Sequence, residues 1–336
     1  MPSTACASAP GERKVVEVPY IHRAGRTAGE VSHARPAPLD GCRRDVYSAP
    51  DREAARSKSV LLRLGHSPDP DDAFMFYALA EGLVEREGLE FEHVLQDIET
   101  LNRRAEKGEL EITALSAHAY AFLHDRYLLL PHGASMGDGY GPLLVSRRPM
   151  RVEDLKEARI AVPGTRTSAF LAARLALGYF QHVQVPFDRI MEFVQAGEAD
   201  AGLLIHEGQL TYAGHDLNKV LDLGAWWQET TGGLPLPLGV NAVRRDLSEP
   251  VVQKIVRVLG RSIDYGLRHR EPAVAHALRY GRGLDRALAD RFIGMYVNDL
   301  TRDLGERGRA GLQEFLRRGH AAGLVPAPVP VEFATA

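Results

Sequence analysis

Two stretches of this chain repeat one local pattern, in which a short apolar segment is followed by a polar loop and a segment of helical periodicity. Residues 60–65 and 110–115 are apolar and strand-like in the first stretch, as are residues 158–162 and 201–205 in the second. Helical spacing follows the first strand over residues 73–87. Strands that alternate with helices predict an α/β fold with mostly parallel sheets. In such sheets ligands bind beyond the carboxyl ends of the strands.

The C-terminal third differs from these stretches, because its pattern is almost entirely helical. Apolar residues recur at helical spacing over residues 247–270, 273–280, 284–298 and 305–322. A chain of 336 residues is long enough for about two domains. The sequence therefore predicts two α/β units with additional helices at the C-terminal end.

Residues 1–58 are predicted to be a disordered leader. The segment is rich in Arg, Ala, Pro and Ser, a composition that buries too little apolar surface to offset the entropy lost on ordering. It contains no continuous apolar stretch of the kind that a secretory signal requires. We therefore expect a cytoplasmic protein.

Composition also excludes several classes of function. The net charge is −3, so no basic surface for nucleic acid is expected. No apolar run reaches the roughly 18 residues of a membrane span. The cysteines Cys6 and Cys42 both lie in the predicted leader, and no Cys/His cluster has the spacing of a zinc site. We expect no metal, no disulfide framework, no nucleic-acid partner and no membrane partner.

Two loops follow predicted strands and open predicted helices. Residues 163–168 form a polar loop whose helix N-terminus suits a carboxylate, because it presents unpaired N–H groups and a partial positive charge. Thr167 and Ser168 add hydroxyl groups, although spacing alone favours ordinary helix capping. Residues 67–72 form an acidic loop that lacks the Gly and the distal Glu of a calcium-binding loop. There Asp71 or Asp72 is predicted to cap the helix.

His206 is the candidate acid–base group. It ends an apolar strand, where ligand-facing residues lie in a parallel sheet, and histidine titrates near neutral pH. A hydrogen-bonded structural histidine is an equally good interpretation. Since adjacent strand residues point to opposite faces, Glu207 is expected to face away from the ligand, into a salt bridge.

Two further motifs belong to connections or packing. The Gly-rich stretch 137–141 matches neither a phosphate-binding loop nor a dinucleotide motif, and we expect it to be a crossover or hinge between domains. Trp226, Trp227 and residues 234–239 form either an apolar wall of the ligand cleft or ordinary interdomain packing.

Taken together, several motifs resemble the 1,4-dihydroxy-6-naphthoate synthase family, which belongs to the futalosine route of menaquinone biosynthesis. The similarity covers roughly residues 60–333. The matching motifs are Ser67-Pro68-x-Pro70-x-Asp72-x-Phe74, Asp97-Ile98-Glu99-Thr100-Leu101-Asn102, Ala161-Val162-Pro163-Gly164, Gly202-Leu203-Leu204-Ile205-His206-Glu207, Asp222-Leu223-Gly224-x-Trp226-Trp227, Leu234-Pro235-Leu236-Pro237-Leu238-Gly239 and Tyr296-Val297-Asn298.

The resemblance implies the type II fold of periplasmic solute-binding proteins, in which two α/β lobes enclose a ligand cleft. It assigns residues 60–148 and 245–336 to one lobe and residues 149–244 to the other. It also implies a carbon–carbon lyase that acts without a cofactor, as a monomer or homodimer. Its small anionic substrate would be cyclic dehypoxanthinylfutalosine, cleaved to 1,4-dihydroxy-6-naphthoate and a small ketose fragment.

The resemblance also assigns roles to individual residues. The catalytic proton acceptor falls on His206. The substrate contacts at the third strand fall on Ala114, Leu115 and Ser116, and those at the polar loop fall on Ser168 and Ala169.

The chain departs from the family pattern in its two loops. Asp69 and Asp71 stand where members have Cys and Asn, and Arg166 stands where members have His. Added negative charge disfavours an anionic substrate, and we expect Arg166 to offset it. Three alternatives therefore stay open: chorismate dehydratase on the same fold, a paralogous enzyme for a related molecule, and a non-catalytic solute-binding protein.

Overall fold

A computed structural model describes residues 59–336. The predicted leader, residues 1–58, lies outside the described residues. In the described part, two β-sheets with helices packed against them form two lobes. No helix there is both long and apolar enough to cross a membrane.

The strands contribute to two separate sheets. In chain order they are β1 (Val60–His66), β2 (Leu89–Leu95), β3 (Ile112–Ser116), β4 (Tyr127–Leu129), β5 (Ser135–Gly137), β6 (Leu143–Ser146), β7 (Arg159–Val162), β8 (Gln181–Gln184), β9 (Ala201–Leu204), β10 (Asn218–Asp222) and β11 (Leu236–Arg244). The first sheet has the order β2-β1-β3-β11-β4, with β5 paired to β11. The second has the order β10-β6-β9-β7-β8.

Each sheet mixes strand directions, so the expectation of mostly parallel sheets is only partly met. The predicted strand–helix units are parallel: β1 pairs with β2 and β3, and β7 pairs with β8 and β9. The added strands are antiparallel, since β11 pairs with β3, β4 and β5, and β6 pairs with β9 and β10.

Sheet membership corrects the predicted boundaries between the lobes. β6 was assigned to the first lobe but pairs in the second sheet, and β11 was assigned to the second lobe but pairs in the first. The chain therefore crosses once between β5 and β6 and again before β11. The first crossing is the Gly-rich stretch, where a side chain on Gly137 would overlap the Tyr140 carbonyl oxygen.

The helices lie between and after these strands. They are α1 (Pro70–Met75), α2 (Tyr77–Ala80), α3 (Ile98–Glu106), α4 (Ala117–Tyr120), α5 (Ser168–Leu177), α6 (Ile190–Gln195), α7 (Gly208–Thr211), α8 (Leu223–Thr231), α9 (Glu249–Arg268), α10 (Arg270–Ala277), α11 (Arg286–Tyr296), α12 (Asp299–Arg302) and α13 (Gly305–Ala321). Short 3-10 helices cover Val152–Lys156, Phe187–Arg189, Tyr212–His215 and Leu278–Tyr280.

Two predicted elements differ from the structure. The helix expected over residues 73–87 is two short helices, α1 and α2, and the chain then turns at Gly82 with φ +68°. Since positive φ favours glycine, this residue ends the helical stretch early. The strand expected over residues 184–187 instead ends at Gln184, before Pro186.

The long C-terminal helices complete the first lobe. Leu62 and Leu64 on β1 pack in one core with Phe74, and α9 adds Ile255 and Leu259 to it. A larger core contains residues of both sheets. These cores hold the strand ends on which the site is built.

Trp227 belongs to that larger core. Its ring contacts Phe315 edge-on at 5.5 Å, and its Nε1–H donates a hydrogen bond of 3.1 Å to the Pro235 carbonyl. Of the two interpretations of this motif, the structure supports packing for Trp226 and Trp227, which do not line the cavity described below, and a cavity wall for Leu238 and Gly239, which do.

Candidate active site

A cavity of about 120 Å³ lies between the lobes and is lined by residues of both. The acidic loop, β3 and β11 contribute from the first lobe, together with α11. The start of α5 and the end of β9 contribute from the second lobe. The cavity therefore lies at the carboxyl ends of β1, β3 and β9, as the parallel strand–helix units predict.

On the first lobe, β3 presents two of its three predicted contacts. Ala114 and Ser116 line the cavity. The side chain of Leu115 does not, because neighbouring strand residues point to opposite faces and Leu115 is buried in the larger core. The Leu115 side chain therefore does not reach the cavity, and the substrate contact assigned to this residue stays a prediction.

Asn102 on α3 holds Ser116 in place. Its side-chain oxygen accepts a 3.0 Å hydrogen bond from the Ser116 N–H, and its amide nitrogen donates one of 3.0 Å to the Ser116 hydroxyl oxygen. Since the hydroxyl oxygen serves as the acceptor, the hydroxyl proton is free to point towards a ligand.

On the second lobe, α5 begins at the cavity, and both predicted residues there line it. Thr167 is the N-cap, and its hydroxyl oxygen accepts a hydrogen bond of 3.2 Å from the Phe170 N–H. The N–H groups of Ser168 and Ala169 have no acceptor in the described part of the chain, as expected for the first turn of a helix. Both residues line the cavity, and free N–H groups at a helix start suit a carboxylate.

The Ser168 hydroxyl has a structural role instead. It donates a hydrogen bond of 2.5 Å to the Leu238 carbonyl and accepts one of 3.3 Å from the His118 N–H. Leu238 lies on β11 and His118 follows β3, and both strands belong to the first sheet. The hydroxyl therefore helps to join the lobes, and the backbone N–H remains for a ligand.

The acidic loop turns back on itself. The Ser67 N–H donates to the Asp72 carboxylate at 2.6 Å, and the Ser67 hydroxyl donates to Asp69 at 2.8 Å. Asp69 occupies the N-cap position of α1 without a capping hydrogen bond from its side chain. The predicted capping by Asp71 or Asp72 is therefore wrong.

All three aspartates line the cavity, but only the Asp71 side chain has no hydrogen-bond partner among residues 59–336 apart from the backbone N–H groups of Asp71 and Asp72. Burial raises the pKa of Asp71 well above its usual value, and the charges of Asp72 and Asp69 raise it further. Burial also raises the pKa of Asp72 to about 7, although hydrogen bonding to Ser67 opposes this shift. These carboxyl groups thus hold protons more readily than exposed aspartates.

No Lys, Arg or His side chain of the described chain lines the cavity. Arg166, which was expected to offset the aspartates, pairs with Glu106 at 2.9 Å and lies 3.8 Å from the centre of the Phe122 ring. That expectation is wrong, because Arg166 is engaged at the outer contact between the polar loop and α3.

His206 lies just beyond β9, next to the cavity-lining Ile205, and is buried. Its Nδ1 accepts a hydrogen bond of 2.9 Å from the Gly208 N–H, so Nε2 carries the proton and donates one of 2.9 Å to the Phe187 carbonyl. Both ring nitrogens are therefore bonded to backbone, and the imidazole does not line the cavity. The predicted role of His206 stays a prediction.

Glu207 forms the salt bridge that was expected of it. Its carboxylate lies 3.0 Å from Nη1 of Arg282 and 3.6 Å from Nδ1 of His206. The partner, Arg282, belongs to the first lobe and carried no signal in the sequence.

Tyr296 is a further cavity residue, and it lies in a motif that the resemblance had included. Its hydroxyl donates a hydrogen bond of 2.7 Å to the Gln209 side chain on α7, which joins α11 of the first lobe to the second lobe. Asn241 on β11 also lines the cavity. No sequence pattern could indicate Asn241, because β11 reaches the site only through antiparallel pairing with β3.

Comparison with known protein families identifies the relatives of this chain. The sequence model of the family described as menaquinone biosynthesis matches residues 62–321. The chain belongs to this menaquinone biosynthesis family.

Two curated relatives of the family carry the same enzyme name, 1,4-dihydroxy-6-naphtoate synthase. The relative from Thermus thermophilus is 43% identical over 271 residues, covering 80% of this chain and 98% of the relative. The relative from Streptomyces coelicolor is 37% identical over 275 residues, covering 80% of this chain and 96% of the relative. The relatives of this menaquinone biosynthesis protein are thus enzymes.

Solved structures confirm the fold. A crystal structure of an Archaeoglobus fulgidus protein is 49% identical, with a TM-score of 0.76, and covers 81% of this chain and 100% of that one. The alkanesulfonate-binding protein of Xanthomonas axonopodis pv. citri, solved with MOPS, is 16% identical with a TM-score of 0.63 and covers 82% and 97%. The two-lobe fold of periplasmic binding proteins, predicted from the resemblance, is therefore confirmed.

Proposed function

We propose that this protein is a carbon–carbon lyase that converts cyclic dehypoxanthinylfutalosine to 1,4-dihydroxy-6-naphthoate in menaquinone biosynthesis. The observation that carries the proposal is the 43% identity to a curated synthase over 98% of that enzyme's length. The cavity between the lobes supports it, because residues with polar groups from both lobes line it. We place the reaction in the cytoplasm, with no cofactor.

The carboxylate of the substrate binds at the start of α5 in this proposal. The free N–H groups of Ser168 and Ala169 supply two donors, and the helix supplies a partial positive charge. The Ser116 hydroxyl adds a donor from the opposite lobe. Such a site binds an anion without a cationic side chain, which agrees with the lining of the cavity.

His206 is the proton acceptor in this proposal. In the neutral ring, Nδ1 has the free electron pair, which the Gly208 N–H occupies. To accept a substrate proton, the ring must therefore exchange this hydrogen bond for one to the substrate. Loss of the proton from the bound spirocyclic substrate starts the cleavage of carbon–carbon bonds and ends in an aromatic product. Closure of the lobes excludes water from this step.

A direct assay tests the reaction and the residue together. The full chain is incubated anaerobically with cyclic dehypoxanthinylfutalosine, and 1,4-dihydroxy-6-naphthoate is measured by mass spectrometry. We expect product from the wild type and a rate about 10²–10⁴-fold lower from His206→Ala. His215→Ala, at an exposed histidine, is the matched control and should keep the wild-type rate.

The possible outcomes separate the two parts of the proposal. Wild-type turnover in His206→Ala would reject the histidine as proton acceptor but leave the reaction in place. A folded wild type that forms no product would reject the reaction, and chorismate would then be the next substrate to test.

A related substrate is the second candidate, and the acidic loop favours it. Asp69 and Asp71 both line the cavity, so they contact whatever the cavity holds. A substrate with more hydroxyl groups would satisfy the unpaired carboxyl of Asp71 better than an apolar ring. Competition between cyclic dehypoxanthinylfutalosine and hydroxyl-rich analogues in the same assay would detect this preference.

A further inference from the structure

Arg282 has an unusual backbone conformation for its residue type. It lies between the 3-10 helix Leu278–Tyr280 and α11, with φ +44°, and is followed by Gly283 with φ +88°. Positive φ is uncommon for any residue other than glycine. Such a conformation persists where the surrounding contacts hold it, so the contacts of the Arg282 side chain are of interest.

Those contacts join the two lobes. In the first lobe, Nη1 of Arg282 lies 2.7 Å from Asp69, and Nη2 lies 3.3 Å from the Pro68 carbonyl. In the second lobe, Nη1 lies 3.0 Å from Glu207, and the guanidinium lies 4.8 Å from the centre of the Phe187 ring. One side chain therefore contacts both walls of the cleft.

The charges of the three residues make the two salt bridges of Arg282 depend on each other. Asp69 and Glu207 share one guanidinium nitrogen, so their carboxylates face each other across the lobe boundary. Glu207 is buried, where an uncompensated charge is costly. Without the cation, closing the lobes would bring two like charges together.

The bridge also lies at the reaction site. Asp69 lines the cavity. Glu207 comes two residues after Ile205, which also lines the cavity. Phe187, under the guanidinium, is the residue whose carbonyl accepts the hydrogen bond of His206. Loss of the bridge would therefore release Asp69 in the cavity wall and Phe187 beside His206.

We propose that Arg282 closes the cleft over the ligand, as a positioning residue whose bridge between Asp69 and Glu207 keeps the lobes together during the reaction. This inference rests on the function proposed above for its kinetic consequences. The bridge itself is testable without that function.

The kinetic test uses Arg282→Gln in the full chain, with cyclic dehypoxanthinylfutalosine as the substrate. We expect kcat/KM to fall about 10–100-fold, mainly through a higher KM, because a ligand must then also oppose the repulsion of two carboxylates. Arg257→Gln is the matched control, since Arg257 pairs with Glu87 at 2.6 Å within the first lobe. That control should change kcat/KM less than about threefold.

A second substitution separates bridging from a merely structural role. Glu207→Gln removes one of the two facing charges, so the double variant Arg282→Gln/Glu207→Gln should recover part of the affinity that Arg282→Gln loses. If the loss of affinity in the double variant equals the sum of the losses in Arg282→Gln and Glu207→Gln, the bridge is contradicted.

Small-angle X-ray scattering tests closure without any substrate. Arg282→Gln should have a larger radius of gyration than the wild type and Arg257→Gln, with partial recovery in the double variant. Equal radii for Arg282→Gln and the wild type would overturn the inference. If the wild type forms no product but the radii differ as expected, the proposed reaction fails and the bridge stands.

Discussion

The acidic loop of the first lobe and the polar loop of the second begin from the same structural unit, yet they give the cavity opposite surfaces. Each follows a parallel strand and precedes a helix. The acidic loop presents Asp69, Asp71 and Asp72, whereas the polar loop presents the N–H groups at the start of α5. A strand–loop–helix unit thus fixes where a ligand lies, and the loop residues decide which charge the ligand meets.

The two loops also differ beneath the surface. β1 ends in His66, whose Nε2 lies 2.9 Å from Nδ1 of His93, and both rings are largely desolvated. β7, which precedes the polar loop, ends in the buried Val162. The acidic loop thus rests on titratable groups and the polar loop on apolar ones, so acid should affect the first lobe more.

The largest expected effect comes from giving the polar loop the charge of the acidic one. Ala169→Asp places a carboxylate beside the free N–H groups, where it takes the place of the ligand's carboxylate and repels it. We expect the affinity for 1,4-dihydroxy-6-naphthoate to fall about 100-fold, or about 3 kcal/mol, measured by calorimetry. Ala169→Asn introduces a side chain of nearly the same size as Asp but without its charge, and it should lose far less affinity. Equal losses would show that shape, not charge, distinguishes the loops.

Acid provides the next largest effect. Burial lowers the pKa of His66 to about 3 and that of His93 to about 4, with charge repulsion adding to it. Their contribution to stability is therefore complete above the unfolded value near 6.5 and is lost as the pH falls towards 4. We expect each of the two histidines to lower the free energy of unfolding by about 2 kcal/mol between pH 7 and pH 5, as measured by urea denaturation.

His93→Gln should reduce this pH dependence, because one of the two groups no longer titrates. His215→Gln, at an exposed site, should leave it unchanged. An identical pH dependence in all three proteins would place the acid-sensitive region elsewhere than under the acidic loop.

A smaller effect is expected at the end of β3, which faces the cavity between the two loops. Ser116→Ala removes a cavity donor and leaves the Asn102 amide without its acceptor. We expect a loss of about 1 kcal/mol in stability and about fivefold in affinity for 1,4-dihydroxy-6-naphthoate. Ser67→Ala, which removes a hydroxyl bonded to Asp69, is the counterpart in the acidic loop. A larger loss of affinity in Ser67→Ala would reverse the assignment of the carboxylate to α5.

The smallest effect concerns the unpaired carboxyl. Because the pKa of Asp71 is raised in the folded protein, the group is protonated at low pH and gains its charge as the pH rises through that raised value. Wild-type affinity for the anionic product should therefore decline with rising pH, by about threefold. Asp71→Asn cannot ionise and should show a weaker decline. The same variant should be more stable than the wild type at high pH and equally stable below the unfolded pKa near 4.

The location of the cavity followed from the sequence, while several strands around it did not. The parallel units have local patterns of alternating strand and helix, so β1, β3, β7 and β9 were predictable. The strands β4, β5 and β6 do not belong to a strand–loop–helix unit, so they lacked the signal that marked the equally short β7 and β9. β11 pairs antiparallel with β3, far away in sequence, and this pairing moved the lobe boundaries.

The site residues divide in the same way. Ala114, Ser116, Ser168 and Ala169, which the resemblance assigns to the substrate, all line the cavity, and their contact with a substrate stays a prediction. The Leu115 side chain points away from the cavity, since alternate residues of a strand face opposite sides. The ring orientation of His206 depends on Phe187, whose carbonyl reaches it from another element.

The sequence by itself determined the α/β class, the helical C-terminal part and the two loops at the cavity, because these depend on local periodicity and on the chemistry of a few adjacent residues. Only the tertiary structure decided that Arg282 joins Asp69 to Glu207, that Arg166 lies outside the cavity and that Asp71 is unpaired. These features depend on which charges meet when two lobes close, and residues separated by 60 positions or more carry no local pattern that records such a meeting.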